Sequence, residues 1–429
     1  MSNLVERDKK SIWHPFTPLK GMDDVLAIEK AEGVKLYTED GKKIIDAISS
    51  WWVNIHGHSN PYLATAIADQ AKKLEHVIFA GFTHEPATRL AERLLEILPD
   101  NQSKVFYSDN GSTAVEVGIK MAFQYFYNRG ISKKKIIAID GAYHGDTFGA
   151  MSVGERGPFT EPFDPYLFDV EFLDFPAQEI EHDVWEHYVS LVESGDVAAF
   201  VFEPIVQGAS GMKVYSNKLL DKMICFGQKN GVVCIADEVM TGFGRLGTLF
   251  ASDQLEHKPD IICLSKGLTG GALAMGVTTC TDEIQSAYRS NDLMKTFFHG
   301  HSFTANPITC AVANASLDLL MQPECTANRE RLNLRHTEFM NRLADHELVR
   351  NLRVVGTIVA FELNTEKDTS YFNEARHHLY PYFIDKGILI RPLGNVIYLI
   401  PPYIISDEEL DYIYNTILDF LNEYPKLTF

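Results

Sequence analysis

An α/β architecture on a mostly parallel central sheet is what this sequence predicts, and three observations lead to it. Short apolar runs (Val105-Phe106-Tyr107, Ile136 to Ile139, Ala198 to Phe202, Val232 to Ala236 and Ile261 to Leu264) have the length of buried strands. Between them, Thr113 to Tyr127 and Asn217 to Lys229 carry apolar residues at helical spacing, and strand alternating with helix implies a parallel sheet. The two ends of the chain depart from that pattern.

Residues 22–50 hold short β-like runs around turns, such as Val34 to Tyr37 before Glu39-Asp40-Gly41. Residues 330–429 alternate strands (Leu352 to Val355, Ile358 to Leu363, Val396 to Ile400) with helices (329–344, 371–386, 407–423). At 429 residues the chain exceeds one ordinary core. The simplest division is a large domain over 51–320 and a smaller α+β domain formed by 1–50 with 321–429. Repeats, low-complexity tracts and long linkers are absent, so the domains are expected to pack closely.

Composition narrows the function classes. A formal net charge of -19 argues against binding a polyanion such as nucleic acid. No stretch approaches the roughly 20 apolar residues of a membrane span. Met1 to Asp8 lacks the apolar run of a secretory signal. The six cysteines (225, 234, 263, 280, 310, 325) form no C-x-x-C and several sit in apolar runs, as reduced core thiols do. A soluble cytoplasmic enzyme is the expectation.

The residues that carry chemistry gather where parallel strands end, the edge at which such sheets bind ligands. Ser265-Lys266-Gly267 follows the run 261–264, and Asp237 follows Ile235-Ala236 at the end of the previous strand. An amine there can form a Schiff base with an aldehyde cofactor, and a carboxylate beside it can keep a pyridine nitrogen protonated. That is the division of labour pyridoxal 5′-phosphate requires. The plain alternative for Lys266 is a surface lysine opening a helix.

Asp109-Asn110-Gly111-Ser112-Thr113 joins a strand to an amphipathic helix, so it reads as a phosphate cup or as an ordinary N-cap turn. Tyr143-His144-Gly145-Asp146 supplies an aromatic able to stack on a flat ring, with polar groups behind it. Glu203-Pro204 brings another acid to the same edge.

Two patterns are set aside. Gly242-Phe243-Gly244-Arg245-Leu246-Gly247 satisfies G-x-G-x-x-G, but Asp237 to Thr241 separates it from its strand and no clear helix follows. His56-Gly57-His58 and His299-Gly300-His301 lack the cysteines or the H-E-x-x-H spacing of a zinc site, so no metal is expected.

With these residues in view, the chain resembles the class III aminotransferases of pyridoxal-phosphate fold type I over nearly its whole length. Three segments carry the likeness: Asp237 to Arg245, Leu264 to Gly271, and His299 to Pro307. Ile12-Trp13-His14-Pro15-Phe16-Thr17, Ser49-Ser50-Trp51-Trp52 and Ile390 to Gly394 with Tyr398 to Tyr403 are similar to the branch of that family serving biotin biosynthesis. That branch acts on 8-amino-7-oxononanoate, usually with S-adenosylmethionine as amino donor.

The resemblance implies Lys266 as the Schiff-base lysine, Asp237 as the pyridinium partner, Tyr143 on one ring face and Val239 on the other. It implies Gly111 and Ser112 at the phosphate, completed by Ser302 of a neighbouring subunit, hence a homodimer with its sites at the subunit interface. On the substrate side it implies Phe16, Trp51, Trp52, Tyr143, Asp146, Arg245, Gly300 and Arg391, the last binding the keto substrate's carboxylate. Phe16 departs from the family, which commonly has tyrosine there, so a phenolic hydroxyl is missing and donor handling is left open. Another class III enzyme (ω-amino acid or ornithine type), a pyridoxal-phosphate aminomutase and a cofactor-free binding protein are the competing readings.

Overall fold

The computed structural model describes residues 4–20, 25–365, 369–370 and 373–424. The apolar runs become a seven-stranded sheet of β1 (Gln102–Ser108), β2 (Lys135–Ile139), β3 (Glu171–Leu173), β4 (Val197–Phe202), β5 (Val233–Asp237), β6 (Ile261–Leu264) and β7 (Gly276–Thr281), in spatial order β1-β7-β6-β5-β4-β2-β3. All neighbours are parallel except β7, which runs antiparallel to both β6 and β1.

The strands read as unbroken apolar runs because both faces of the sheet are covered. In β4, Ala199 and Val201 pack on the side of helix Gly111–Asn128, while Phe200 and Phe202 pack against helices Glu181–Glu193 and Asn217–Lys229. Strand β7 escapes that reading because threonine makes up half of it. Buried Thr278 and Thr279 satisfy their hydroxyls on the Ala114 carbonyl and the Gln102 side chain, both at 2.7 Å. A polar residue inside a strand is affordable when its hydrogen bond is made.

The termini meet. Ile28–Glu32, Lys35–Thr38 and Lys43–Asp46 form an antiparallel meander, and Ile388–Leu389 adds to its edge in parallel with Lys43–Asp46. Val349–Val355, Ile358–Leu363 and Val396–Leu399 form a second antiparallel sheet. Helices Pro323–Leu343 and Asp407–Glu423 cover one another, with Phe339 stacked on Tyr414 at 4.2 Å. The helix expected from 329 starts earlier, at Pro323, whose fixed φ suits a first turn. The helix expected over 371–386 spans Arg376–Asp385, and residues 371–372 lie outside the described set.

No helix among the described residues is long and apolar enough to cross a membrane. All six cysteines are free, and only Cys225 is not buried.

Candidate active site

The C-terminal ends of β1, β2, β4, β5 and β6 open on one edge and deliver Gly111, Tyr143, Glu203, Asp237 and Lys266 there. Each group arrives by a short turn after its strand, so sheet register sets their spacing.

At the end of β1, Asn110 caps the helix Gly111–Asn128. Its side chain accepts from the Thr113 amide at 2.9 Å, and the Asn110 amide donates to Thr113 Oγ1 at 3.1 Å. The N-cap reading holds, and the first-turn amides of Gly111 and Ser112, having no intrahelical acceptor, leave the dipole's positive end open to an anion. The Ser112 hydroxyl is 2.7 Å from Thr147 Oγ1 and accepts from the Thr147 amide at 3.0 Å. Gly145 permits this approach, since a Cβ there would lie 2.3 Å from the Ser112 side chain at a φ of 121°. Gly111 meets Val239 in the same way, with a Cβ clash of 2.7 Å avoided.

Asp237 closes β5, buried, with Oδ1 accepting from the Val239 amide at 3.0 Å. Its Oδ2 lies 2.7 Å from His144 Nδ1, while His144 Nε2 is buried without a partner. Burial opposes a charge on that imidazole, but the hydrogen bond and charge of Asp237, helped by Glu203, outweigh it and raise its pKa. Glu203 accepts from the amides of Tyr143 (3.1 Å) and Gly208 (2.9 Å), and burial pushes its carboxyl up to about 7. The Tyr143 hydroxyl is raised by desolvation and by the Asp146 carboxylate beside it.

Lys266 stands two residues past β6, in a left-handed conformation (φ 43°). Its Nζ sits 4.4 Å over the Trp52 ring. Burial pushes its amine down to about 8, against the pull of Asp237 and Glu203. The surface-lysine alternative does not survive this placement.

A second group of residues lines the approach. Arg391 is half-buried, with its guanidinium 4.5 Å over Trp51, and no carboxylate pairs with it among the described residues. Phe16 meets the Trp51 ring edge-on at 5.8 Å and Phe159 at 6.3 Å. An exposed aromatic wall thus ends in a free cation, the shape that suits an aliphatic chain with a terminal carboxylate.

One expected residue, Arg245, stands apart from this arrangement. Arg245 is only 1% exposed; it donates to the Trp52 carbonyl and the Pro401 carbonyl, each at 3.1 Å, and lies over Tyr403. It fastens the Trp52 segment from behind instead of lining the open pocket. Gly300 and Ser302 are exposed on a segment that follows the outer side of helix Gly111–Asn128, where Lys120 Nζ is 3.0 Å from His299 Nδ1.

Gly242 to Gly247 forms a turn that leads into another turn, with no α-helix after it. His56 bonds to Ser316 and His58 to Asp46. Among the described residues Asp221, Glu256 and His257 alone come together in a metal-like group, and His257 already spends its amide and ring on Asp221.

Sequence reasoning assigned no role to Glu203, Asp46 or Phe159. Glu203 was visible as an acid at a strand end. Asp46 and Phe159 carry no local signal, since their partners are distant in sequence.

The family model "Aminotransferase class-III" matches residues 20–421. The chain belongs to the class III aminotransferases. As a class III aminotransferase it is 47% identical to the adenosylmethionine-8-amino-7-oxononanoate aminotransferase of Synechococcus elongatus, over 96% of this chain and 98% of that protein. The enzyme of the same name from Helicobacter pylori is 34% identical over 99% of each. Among solved structures, the adenosylmethionine-8-amino-7-oxononanoate aminotransferase of Methanocaldococcus jannaschii superposes with a TM-score of 0.92 at 36% identity, covering 98% of both chains. An omega transaminase from Pseudomonas jessenii, solved in complex with PMP, has the same TM-score of 0.92 at 26% identity, covering 99% of both. Backbone shape alone therefore does not separate these two specificities; sequence does.

Proposed function

We propose that this class III aminotransferase transfers an amino group from S-adenosylmethionine to 8-amino-7-oxononanoate, giving 7,8-diaminononanoate for biotin synthesis. It works as a cytoplasmic homodimer with pyridoxal 5′-phosphate as cofactor, and its two domains divide near residues 50 and 320. The donor set fits that cofactor: free amides at a helix start opened by Gly111, a buried carboxylate, and an amine depressed by burial. Pyridoxal phosphate supplies an aldehyde that accepts the amino group and an electron-poor ring that draws charge from the reacting carbon.

The chain's own groups do the rest. Gly111 and Ser112 hold the phosphate end, with Ser302 of the neighbouring subunit added in the dimer. Asp237, held by His144, keeps a proton on the ring nitrogen. Val239, packed against Gly111, and Tyr143 confine the ring faces. The Lys266 amine would anchor the cofactor and, once released, would take up and give back a proton at Nζ; a pKa near working pH suits both directions. Trp52 under the amine excludes water. Phe16, Trp51 and Asp146 border the entrance, and Arg391 pairs the keto substrate's carboxylate in a two-pronged hydrogen bond.

The observation that carries the substrate assignment is the unpaired Arg391 guanidinium stacked on Trp51. Separate half-reactions of the purified enzyme, followed by cofactor absorbance, test it. S-adenosylmethionine should convert the cofactor to its amino form and 8-amino-7-oxononanoate should reverse it. Conversion by lysine alone would reassign the donor, and no response to the keto acid would overturn the substrate.

A further inference from the structure

Ser49, Ser50, Trp51 and Trp52 all have positive φ, at 53°, 45°, 75° and 73°. The ψ values of Ser50 and Trp51 are 51° and 47°. The amides of Trp52 and Val53 donate to the carbonyls of Ile48 (2.8 Å) and Ser49 (2.9 Å). This is a turn of left-handed helix built without glycine. For L-residues that hand crowds Cβ against the next carbonyl, at roughly a tenfold loss of population per residue. A run of four persists only where the surroundings over-determine it.

Asp46 supplies much of that constraint. Its carboxylate is fully buried and accepts from the Ile48 amide at 3.1 Å, Ser50 Oγ at 2.7 Å and His58 Nε2 at 2.8 Å. Asn54 Nδ2 donates to His58 Nδ1 at 3.2 Å, which leaves Nε2–H to face Asp46. Ser49 Oγ fastens the other side of the turn to the Ile400 carbonyl at 2.7 Å, and Trp52 Nε1 donates to Tyr398 at 3.1 Å. Asp46 is also the register partner of Leu389, two residues before Arg391. One strand pair thus carries the clamp and leads, two residues on, to the arginine.

We propose that Asp46 is a positioning residue for substrate recognition: through Ser50, the Ile48 amide and His58 it holds residues 49–52 left-handed, and so sets Trp51 against Arg391 and Trp52 beneath Lys266. The proposal rests on the assignment of Trp51, Trp52 and Arg391 to the substrate pocket. Without the clamp the turn relaxes toward ordinary φ values, and the aromatic wall leaves the guanidinium.

Three variants of the full chain, loaded with cofactor, separate clamp from contact: Asp46→Asn, Ser50→Ala and Ser50→Gly. Ser50→Ala loses the hydroxyl and keeps the Cβ crowding; Ser50→Gly loses both and tolerates the left-handed backbone. Asp46→Asn and Ser50→Ala should raise KM for 8-amino-7-oxononanoate about tenfold with kcat changed less than about threefold, while Ser50→Gly stays within about threefold of wild type. Tryptophan emission of the cofactor-free chain should shift in the first two variants and not in the third.

A lowered melting temperature with KM and emission unchanged would make Asp46 merely structural. Equal losses in Ser50→Ala and Ser50→Gly would overturn the backbone argument, and that pair decides even if Asp46→Asn does not fold. Wild-type enzyme inert toward the keto acid refutes the functional reading instead, while the emission comparison still tests the clamp.

Discussion

Replacing Arg391 with alanine tests the substrate assignment at the residue where it is most exposed. The guanidinium is half-buried and lies 4.5 Å over Trp51, so the mutation removes both a charge-assisted pair with the substrate carboxylate and a stacking contact. Truncating one partner of a buried charge pair costs about 2–5 kcal/mol, and partial exposure places this site near the lower end. A cation over an aromatic face adds about 0.5–1 kcal/mol. Together these give roughly 2–3 kcal/mol, or about 30- to 150-fold in the apparent second-order rate with 8-amino-7-oxononanoate. Arg391→Lys keeps the charge but loses the planar fork, so it should recover only part of that loss. The assay is single-turnover kinetics of each half-reaction, monitored at the cofactor absorbance. The S-adenosylmethionine step should change less than about threefold. An unaltered keto-acid step in Arg391→Ala would refute the assignment, and equal losses in both steps would show a general collapse of the pocket.

Lys266→Met should abolish turnover and covalent retention of the cofactor. It should also stabilise the cofactor-free chain at neutral pH, because the buried amine, held down to about 8, resists charging in the folded state only. The sign follows from linkage: the unfolded chain binds more protons between pH 8 and the ordinary lysine value of roughly 10.4, so wild-type stability rises across that window. The mutant's advantage, on the order of 3 kcal/mol below pH 8, should therefore shrink toward pH 10 in chemical denaturation; an advantage independent of pH would remove lysine titration as its cause. Asp237→Asn should still bind cofactor but lose most of its rate, since an amide cannot hold the ring-nitrogen proton; near wild-type turnover would make the aspartate structural. Gly145→Ala places a Cβ 2.3 Å from Ser112 at a φ of 121°. It should weaken cofactor binding by about 1–3 kcal/mol in a titration of the cofactor-free protein, and unchanged affinity would place the phosphate elsewhere.

Much of the cofactor site was legible before any fold was known, because its signals are local. A run such as 261–264 announces a buried strand, and the residue just past it must lie at the sheet's ligand edge; Lys266, Asp237 and Glu203 follow from that rule together. Asn110 before an amphipathic helix announces an N-terminus with free amides in the same way. The antiparallel strand Gly276–Thr281 was not legible, since its threonines look polar until their buried hydrogen bonds are seen.

The substrate side depended on long-range contacts. His144 and Asp237 are 93 residues apart, and Trp52 and Tyr398 are 346 apart. Only tertiary structure turned Arg245 into an internal fastening and brought the two ends of the chain together so that Trp51 meets Arg391. The left-handed turn at 49–52 is the clearest case. Its residues favour right-handed or extended backbone by themselves, and the opposite hand exists because Asp46, Ile400 and Tyr398 hold it there. Strand and helix periodicity is written in neighbouring residues; strain and its compensation are shared between distant ones, and packing decides them.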